Sequence, residues 1–82
     1  MDQNTTVFKP QKEDNTKVRE IMEKVIVALE SKGYEPISQI IGYILSGDPT
    51  YITSYNDARS LICKLERDEL LEEIIKSYIG NK

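Results

Sequence analysis

Histidine is absent from this chain, and cysteine occurs once, at Cys63. Without histidine the usual general base near neutral pH and the commonest metal ligand are both missing, so most familiar catalytic designs are excluded and no cofactor is expected. A lone cysteine closes no internal bridge, and Met1 to Asp14 holds no apolar run of the length a secretory signal requires. No stretch approaches the ~20 apolar residues needed to cross a bilayer. The chain therefore reads as cytoplasmic, with no membrane partner. An excess of basic charge is missing as well. Fourteen acidic against eleven basic side chains leave a formal charge of −3, which opposes the counterion release behind nucleic-acid binding. Nucleic acid is not expected as a general partner.

What the chain does have is apolar periodicity at helical spacing. Its 82 residues suffice for one domain, and a domain of that size buries only about 60% of its unfolded surface, so a thin core is expected, with modest stability unless the chain dimerises. Residues 1–14 carry Val7 and Phe8 as sizeable apolar side chains after the initiator, with Pro10 among polar neighbours, and read as a flexible tail before one helical domain at 15–80. From Asn15, a candidate N-cap, Val18, Ile21, Met22, Val25 and Leu29 recur at steps of three and four until Gly33 stops the helix. Pro36 suits a first helical turn, and Ile37, Ile40, Ile41, Ile44 and Leu45 repeat the stripe up to Gly47. A third helix, capped by Ser54 or Asn56, turns Ala58, Leu61, Ile62 and Leu65 inward and Arg59, Lys64, Glu66 and Arg67 elsewhere. After a break or bend near Arg67-Asp68, Leu70, Leu71, Ile74, Ile75, Tyr78 and Ile79 form a rotated stripe that ends at Gly80. The expected fold is all-α, a compact bundle of about four to five short helices behind an N-terminal tail.

Residues that can carry chemistry have plain alternatives. Glu66, Asp68, Glu69, Glu72 and Glu73 read as a solvated helix face rather than an acid/base pair. Cys63 reads as a small, inert, partly buried side chain, since no histidine is available to activate it. Gly42 inside an apolar helix points to close packing by a neighbour. Ser46-Gly47-Asp48-Pro49 lacks the spacing and the lysine of a phosphate loop and reads as a helix stop and turn. Tyr43, Tyr51 and Tyr55 cluster around that turn, either as lids on a thin core or as contact area for a partner. Arg59, Lys64 and Arg67 recur along one helix and can steer an acidic partner, although a solvated face is the default. Thr5 and Thr6 lie in the tail, where a phosphate would add about 1.5 to 2 negative charges; alone they single out no modification. Short second and third helices around a Gly-containing connection leave a helix-turn-helix DNA-binding regulator as the alternative function, opposed by the acidic balance.

The run from Gly33-Tyr34-Glu35-Pro36-Ile37 through Ser46-Gly47-Asp48-Pro49-Thr50-Tyr51-Ile52, followed by Asp57-Ala58-Arg59 and Leu65-Glu66-Arg67-Asp68-Glu69, closely resembles the IreB/ReoM family of Gram-positive bacteria. Val27-Ala28-Leu29-Glu30 leading into Lys32-Gly33-Tyr34 is also similar. The resemblance implies a non-enzymatic, helical homodimer that is a substrate of a Ser/Thr kinase with extracellular PASTA domains, and of the opposing phosphatase. It further implies an adaptor that, unphosphorylated, helps deliver the enolpyruvyl transferase MurA to the Clp protease, so that phosphorylation raises peptidoglycan synthesis and cephalosporin tolerance. By position, Thr6 matches the family's tail phosphothreonine and Thr5 is a second candidate. Arg59, Lys64 and Arg67 match its partner-handling basic positions, with Tyr51 and Tyr55 beside them. Two departures thin that basic stripe: Ser54 stands where relatives often carry arginine, and Cys63 where basic side chains occur.

Overall fold

A computed structural model describes residues 16–80. The tail, with Thr5 and Thr6, and the candidate cap Asn15 lie outside the described residues. Four α-helices follow in order: α1 (Thr16–Ser31), α2 (Pro36–Ser46), α3 (Ala58–Ile62) and α4 (Arg67–Gly80). Two single 3₁₀ turns, Pro49–Tyr51 and Tyr55–Asp57, occupy the connection between α2 and α3. The described residues form no strand.

Helix α1 is the central element because its apolar period holds throughout. Val18, Ile21, Val25, Ala28 and Leu29 are buried along one side, and Met22 and Ile26 lie half-buried at its edge. Complete burial of side chains such as Val25 and Leu29 contributes about 1.5–3 kcal/mol each. The helix ends where expected: Gly33 takes a φ of 82°, and the Tyr34 amide reaches back to the Leu29 carbonyl at 2.8 Å. That left-handed residue closes the helix at no steric cost.

Helix α2 opens on Pro36, with Glu35 as its cap: the carboxylate accepts from the Ser38 amide at 2.8 Å. Gly47, at φ 75°, closes it by donating to the Tyr43 carbonyl at 2.7 Å. Only part of the expected α2 stripe is covered. Ile40 and Tyr43 are buried and Ile44 is half-buried, but Ile37, Ile41 and Leu45 stand open to solvent. Gly42 packs as anticipated, because the Tyr51 ring lies where a β-carbon would be, 2.5–2.9 Å away.

The third helix departs most from expectation. It is five residues long, and neither Ser54 nor Asn56 caps it with a side chain. Asn56 and Asp57 instead take φ values of 52° and 61°, a pair of left-handed residues that swings the chain into α3. The ladder then tightens, as Lys64 and Leu65 donate to carbonyls three residues back, and the helix stops at Ile62, with the expected break falling just before Arg67, where α4 begins. Glu66 and Glu69 start α4: the Glu66 amide donates to the Glu69 carboxylate at 2.8 Å while the Glu69 amide donates to the Glu66 carbonyl at 3.0 Å. This capping arrangement puts Asp68 and Glu69 in the first turn, where the helix dipole favours them.

Candidate functional site

The connection between α2 and α3 gathers most of the residues singled out by their chemistry, and it is braced at both ends by arginine. Arg59, half-buried on α3, donates Nε to the Ile52 carbonyl at 2.8 Å. Ile52 is completely buried and anchors the middle of the connection in the core. Arg67, exposed in the first turn of α4, donates Nη1 to the Ile44 carbonyl at 2.9 Å. Its guanidinium lies 3.0–3.3 Å from the position a β-carbon would take on Gly47, so a glycine there admits the arginine as well as the left-handed backbone. Each guanidinium has five N–H donors, and the carbonyl bond uses one while fixing the plane of the remainder.

These three basic residues do not form a stripe along one helix. Arg59 belongs to α3, Lys64 is exposed in the following turn, and Arg67 belongs to α4. The break between α3 and α4 overturns the single-helix spacing, but Arg59 bonds the backbone of the connection and Arg67 the last turn of α2 beside Gly47, where the connection begins. The tyrosines serve different elements. Tyr51 lays its ring over Gly42, and its carbonyl accepts from Gln39 Nε2 at 2.8 Å. The Tyr55 ring sits under the Lys32 ammonium at 5.2 Å from its centroid, tying the connection to the end of α1. Both tyrosines stay about two-fifths exposed, at 40% and 43%, so each is at once a lid and a surface.

Electrostatics in the connection are local. Asp48 accepts from the Thr50 amide at 3.0 Å and its hydroxyl at 2.7 Å, which holds the carboxyl below its ordinary 3.8. Glu35 is held below 4.5 by its bonds to Ser38. Burial pushes the Tyr43 phenol above 10.0, and Cys63 beside it adds to the rise. Cys63 is exposed, not partly buried as its apolar neighbours suggested. It follows the end of α3, with Sγ 4.0 Å from the Tyr43 hydroxyl.

The acidic series on α4 is not uniformly solvated either. Glu73 is 5% exposed and accepts from Arg19 Nε at 3.0 Å and Nη2 at 2.9 Å, joining α1 to α4. Glu72 faces the Lys76 ammonium at 2.9 Å, one turn on. The divergence of consecutive carboxylates holds for Asp68 but fails for Glu73, whose position shares the buried side of α4 with Leu70. The rest of the expected α4 stripe is open: Leu71, Ile74, Ile75, Tyr78 and Ile79 are exposed. Together with Met22, Ile26, Ile37, Ile41 and Leu45, the Leu71 and Ile74 side chains line an apolar trough of about 480 Å³ between α1, α2 and α4. Periodicity marked these residues as one apolar face per helix; it carried no signal of which faces the chain itself covers.

Among the described residues no three His, Cys, Asp or Glu side chains are placed to hold a metal ion, and no helix is long and apolar enough to cross a membrane. Helix α3, at five residues, is too short to serve as a recognition helix in a DNA groove. The arrangement is suited to protein contact: fixed guanidinium forks, half-exposed aromatic rings and an uncovered apolar face. Compared with known families, residues 3–80 match the family model described as IreB regulatory phosphoprotein.

Proposed function

Because the chain belongs to the IreB family of regulatory phosphoproteins, we propose that it is a cytoplasmic, non-enzymatic adaptor switched by phosphorylation of Thr6, with Thr5 as the secondary acceptor. The kinase is of the PASTA-domain Ser/Thr class, opposed by its phosphatase. Unphosphorylated, the protein promotes Clp-dependent degradation of MurA; phosphorylated, it lets MurA accumulate, so that peptidoglycan synthesis and cephalosporin tolerance rise. The acting form is a homodimer of the helical domain at 15–80, and the tail at 1–14 is its control segment.

The observation that carries this reading is the extent of the family match, which begins at residue 3 and so takes in both tail threonines together with every described helix. The geometry supports a binding role for Arg59 and Arg67. Each is oriented by a backbone carbonyl, which lowers the entropy lost when its free N–H groups meet a carboxylate, and arginine–carboxylate bonds are among the stronger polar contacts. Lys64 adds mobile positive charge between them, and Tyr51 and Tyr55 supply flanking contact area.

The test is incubation of the protein and a Thr6→Ala variant with ATP and the cytoplasmic domain of the PASTA-type kinase, followed by localisation of phosphate by mass spectrometry. One phosphate on Thr6, absent from the variant, is the expected result, with faster MurA turnover by the Clp machinery in the presence of the unmodified form. An active kinase that leaves both Thr5 and Thr6 unmodified would remove the switch.

A further inference from the structure

The outer side of α1 carries a second surface, distinct from the apolar trough. Glu20, Glu23, Lys24 and Val27 on α1, with Asp57 just before α3 and Leu61 near its end, line an open groove of about 980 Å³. Its three carboxylates against one ammonium give it a charge of −2, over a floor that includes Val27, 57% exposed on an otherwise polar face. At 100° per residue, Glu20, Lys24 and Val27 point away from Met22 and Ile26, which border the trough. A second copy seated on the trough therefore leaves this groove open.

We infer that the groove is the docking site of the chain's own N-terminal segment Thr5–Lys12, and that phosphate on Thr6 releases it. Three observations favour this occupant. Thr5–Lys12 carries Lys9 and Lys12 with no acidic residue, a charge of +2 against the groove's −2, and it holds Phe8, the chain's one phenylalanine, next to Val7. The tether has the right length. Phe8 lies eight residues before Thr16, a reach of up to about 26–29 Å, whereas Val27 is eleven helical residues beyond Thr16, about 16–17 Å away. A segment folded back along α1 thus brings Lys12 to Glu20 and Glu23 and Phe8 to Val27 and Leu61 with slack to spare. Being tethered, it docks at millimolar effective concentration, so a weak contact suffices.

Phosphorylation then acts by charge. A phosphate adds about 1.5 to 2 negative charges, which brings the segment from +2 to near zero and places a dianion beside three carboxylates. The contact loses its attraction and gains a repulsion. This switch rests on the reading of Thr6 as the modified residue, but the docking itself does not.

Amide NMR spectra of the full chain distinguish the two. With Lys9→Glu/Lys12→Glu, the amide signals of Glu20, Glu23, Val27 and Leu61 are expected to shift, while those of the core residues Leu29 and Ile52 stay in place. Adding Glu20→Lys/Glu23→Lys to that variant restores the Val27 and Leu61 signals toward their original positions. About 0.5 M salt, which cuts the Debye length to roughly 4 Å, reproduces the shift in the unaltered chain, and Thr6-phosphorylated protein shows it too. Groove signals that ignore the lysine variants, or shifts that fall on Ile37, Ile41 and Leu71 instead, would overturn the docking. These variants need no kinase, so a failure of Thr6 phosphorylation and a failure of docking are read separately. Stoichiometric phosphate with an unmoved groove would overturn the release.

Discussion

Gly42 shows how one residue sets a contact between elements. A β-carbon there would lie 2.5–2.9 Å from the Tyr51 ring, inside any tolerable carbon–carbon distance, so Gly42→Ala must displace the ring from α2. Glycine within a helix also costs about 1 kcal/mol relative to alanine, and the two effects oppose each other. With Tyr51 in place overpacking wins, and Gly42→Ala is expected to lower stability by about 1–2 kcal/mol. In a Tyr51→Ala background the clash is gone, and the same substitution should raise stability by up to about 1 kcal/mol. Urea unfolding of the four proteins checks this, and a Gly42→Ala effect of the same sign in both backgrounds would refute the account. Glu35 and Asp48 give a second expectation at this scale. Both carboxyls are held below their ordinary values, 4.5 and 3.8, by bonds to nearby amides and hydroxyls. A depressed folded value means that each contributes stability above its unfolded value and loses it as pH falls through its folded value. Glu35→Gln and Asp48→Asn should therefore lower stability near neutral pH, and the difference from the unaltered chain should shrink as pH falls through the folded values, which urea unfolding as a function of pH measures.

Between elements, the joint most open to test is Arg19 with Glu73, which ties α1 to α4 across 54 residues of chain. The Glu73 side chain is 7% exposed and Arg19 66%, so the carboxylate has given up water and the guanidinium largely has not. Arg19→Met strands a buried charge and should cost about 1–3 kcal/mol. Adding Glu73→Leu removes that charge and should return most of the loss, because an apolar replacement of both partners is often near neutral. Thermal melts that show additive losses in the double variant would contradict this. The same pair marks the limit of what the sequence could say. Helix existence, the Gly33 and Gly47 stops and the buried side of α1 were legible because each depends on neighbours within a few residues. Glu73 was read as solvated because its partner is distant in the chain, and no local pattern distinguishes a carboxylate facing Arg19 from one facing water. The start of α3 escaped for another reason: Asn56 and Asp57 take left-handed backbone conformations in place of the side-chain cap that Ser54 or Asn56 would otherwise make. Arg59 and Arg67 were legible as cations, but the carbonyls that orient them were not.

For the whole molecule, the deciding fact is how much apolar side chain one copy leaves uncovered. Leu45, Ile37, Tyr78 and Ile79 are 79%, 68%, 68% and 62% exposed, and Ile41, Ile75 and Leu71 are close to half-exposed. Scattered singly these would need no explanation, but the α2 members and Leu71 line one trough together with Ile74, and apolar side chains gathered in one exposed place are what a protein-contact surface presents. In the homodimer proposed above, a second copy related by a two-fold axis would present the same α2 and α4 faces to this one, so that each apolar row could meet its equivalent. Placing a charge in that seam should separate the copies without touching the core, because Ile41 and Leu45 contribute to no buried cluster within one chain. Ile41→Glu and Leu45→Glu are accordingly expected to sediment at the 9.4 kDa of one chain, while the unaltered protein sediments at twice that mass and melts at a temperature that rises with its concentration. Far-ultraviolet circular dichroism of the variants should keep the helical signal of α1 to α4, since the side chains replaced are already exposed. If the unaltered protein sediments as a single chain and its melting temperature is independent of concentration, the trough is covered by a different partner, and the adaptor acts as a monomer.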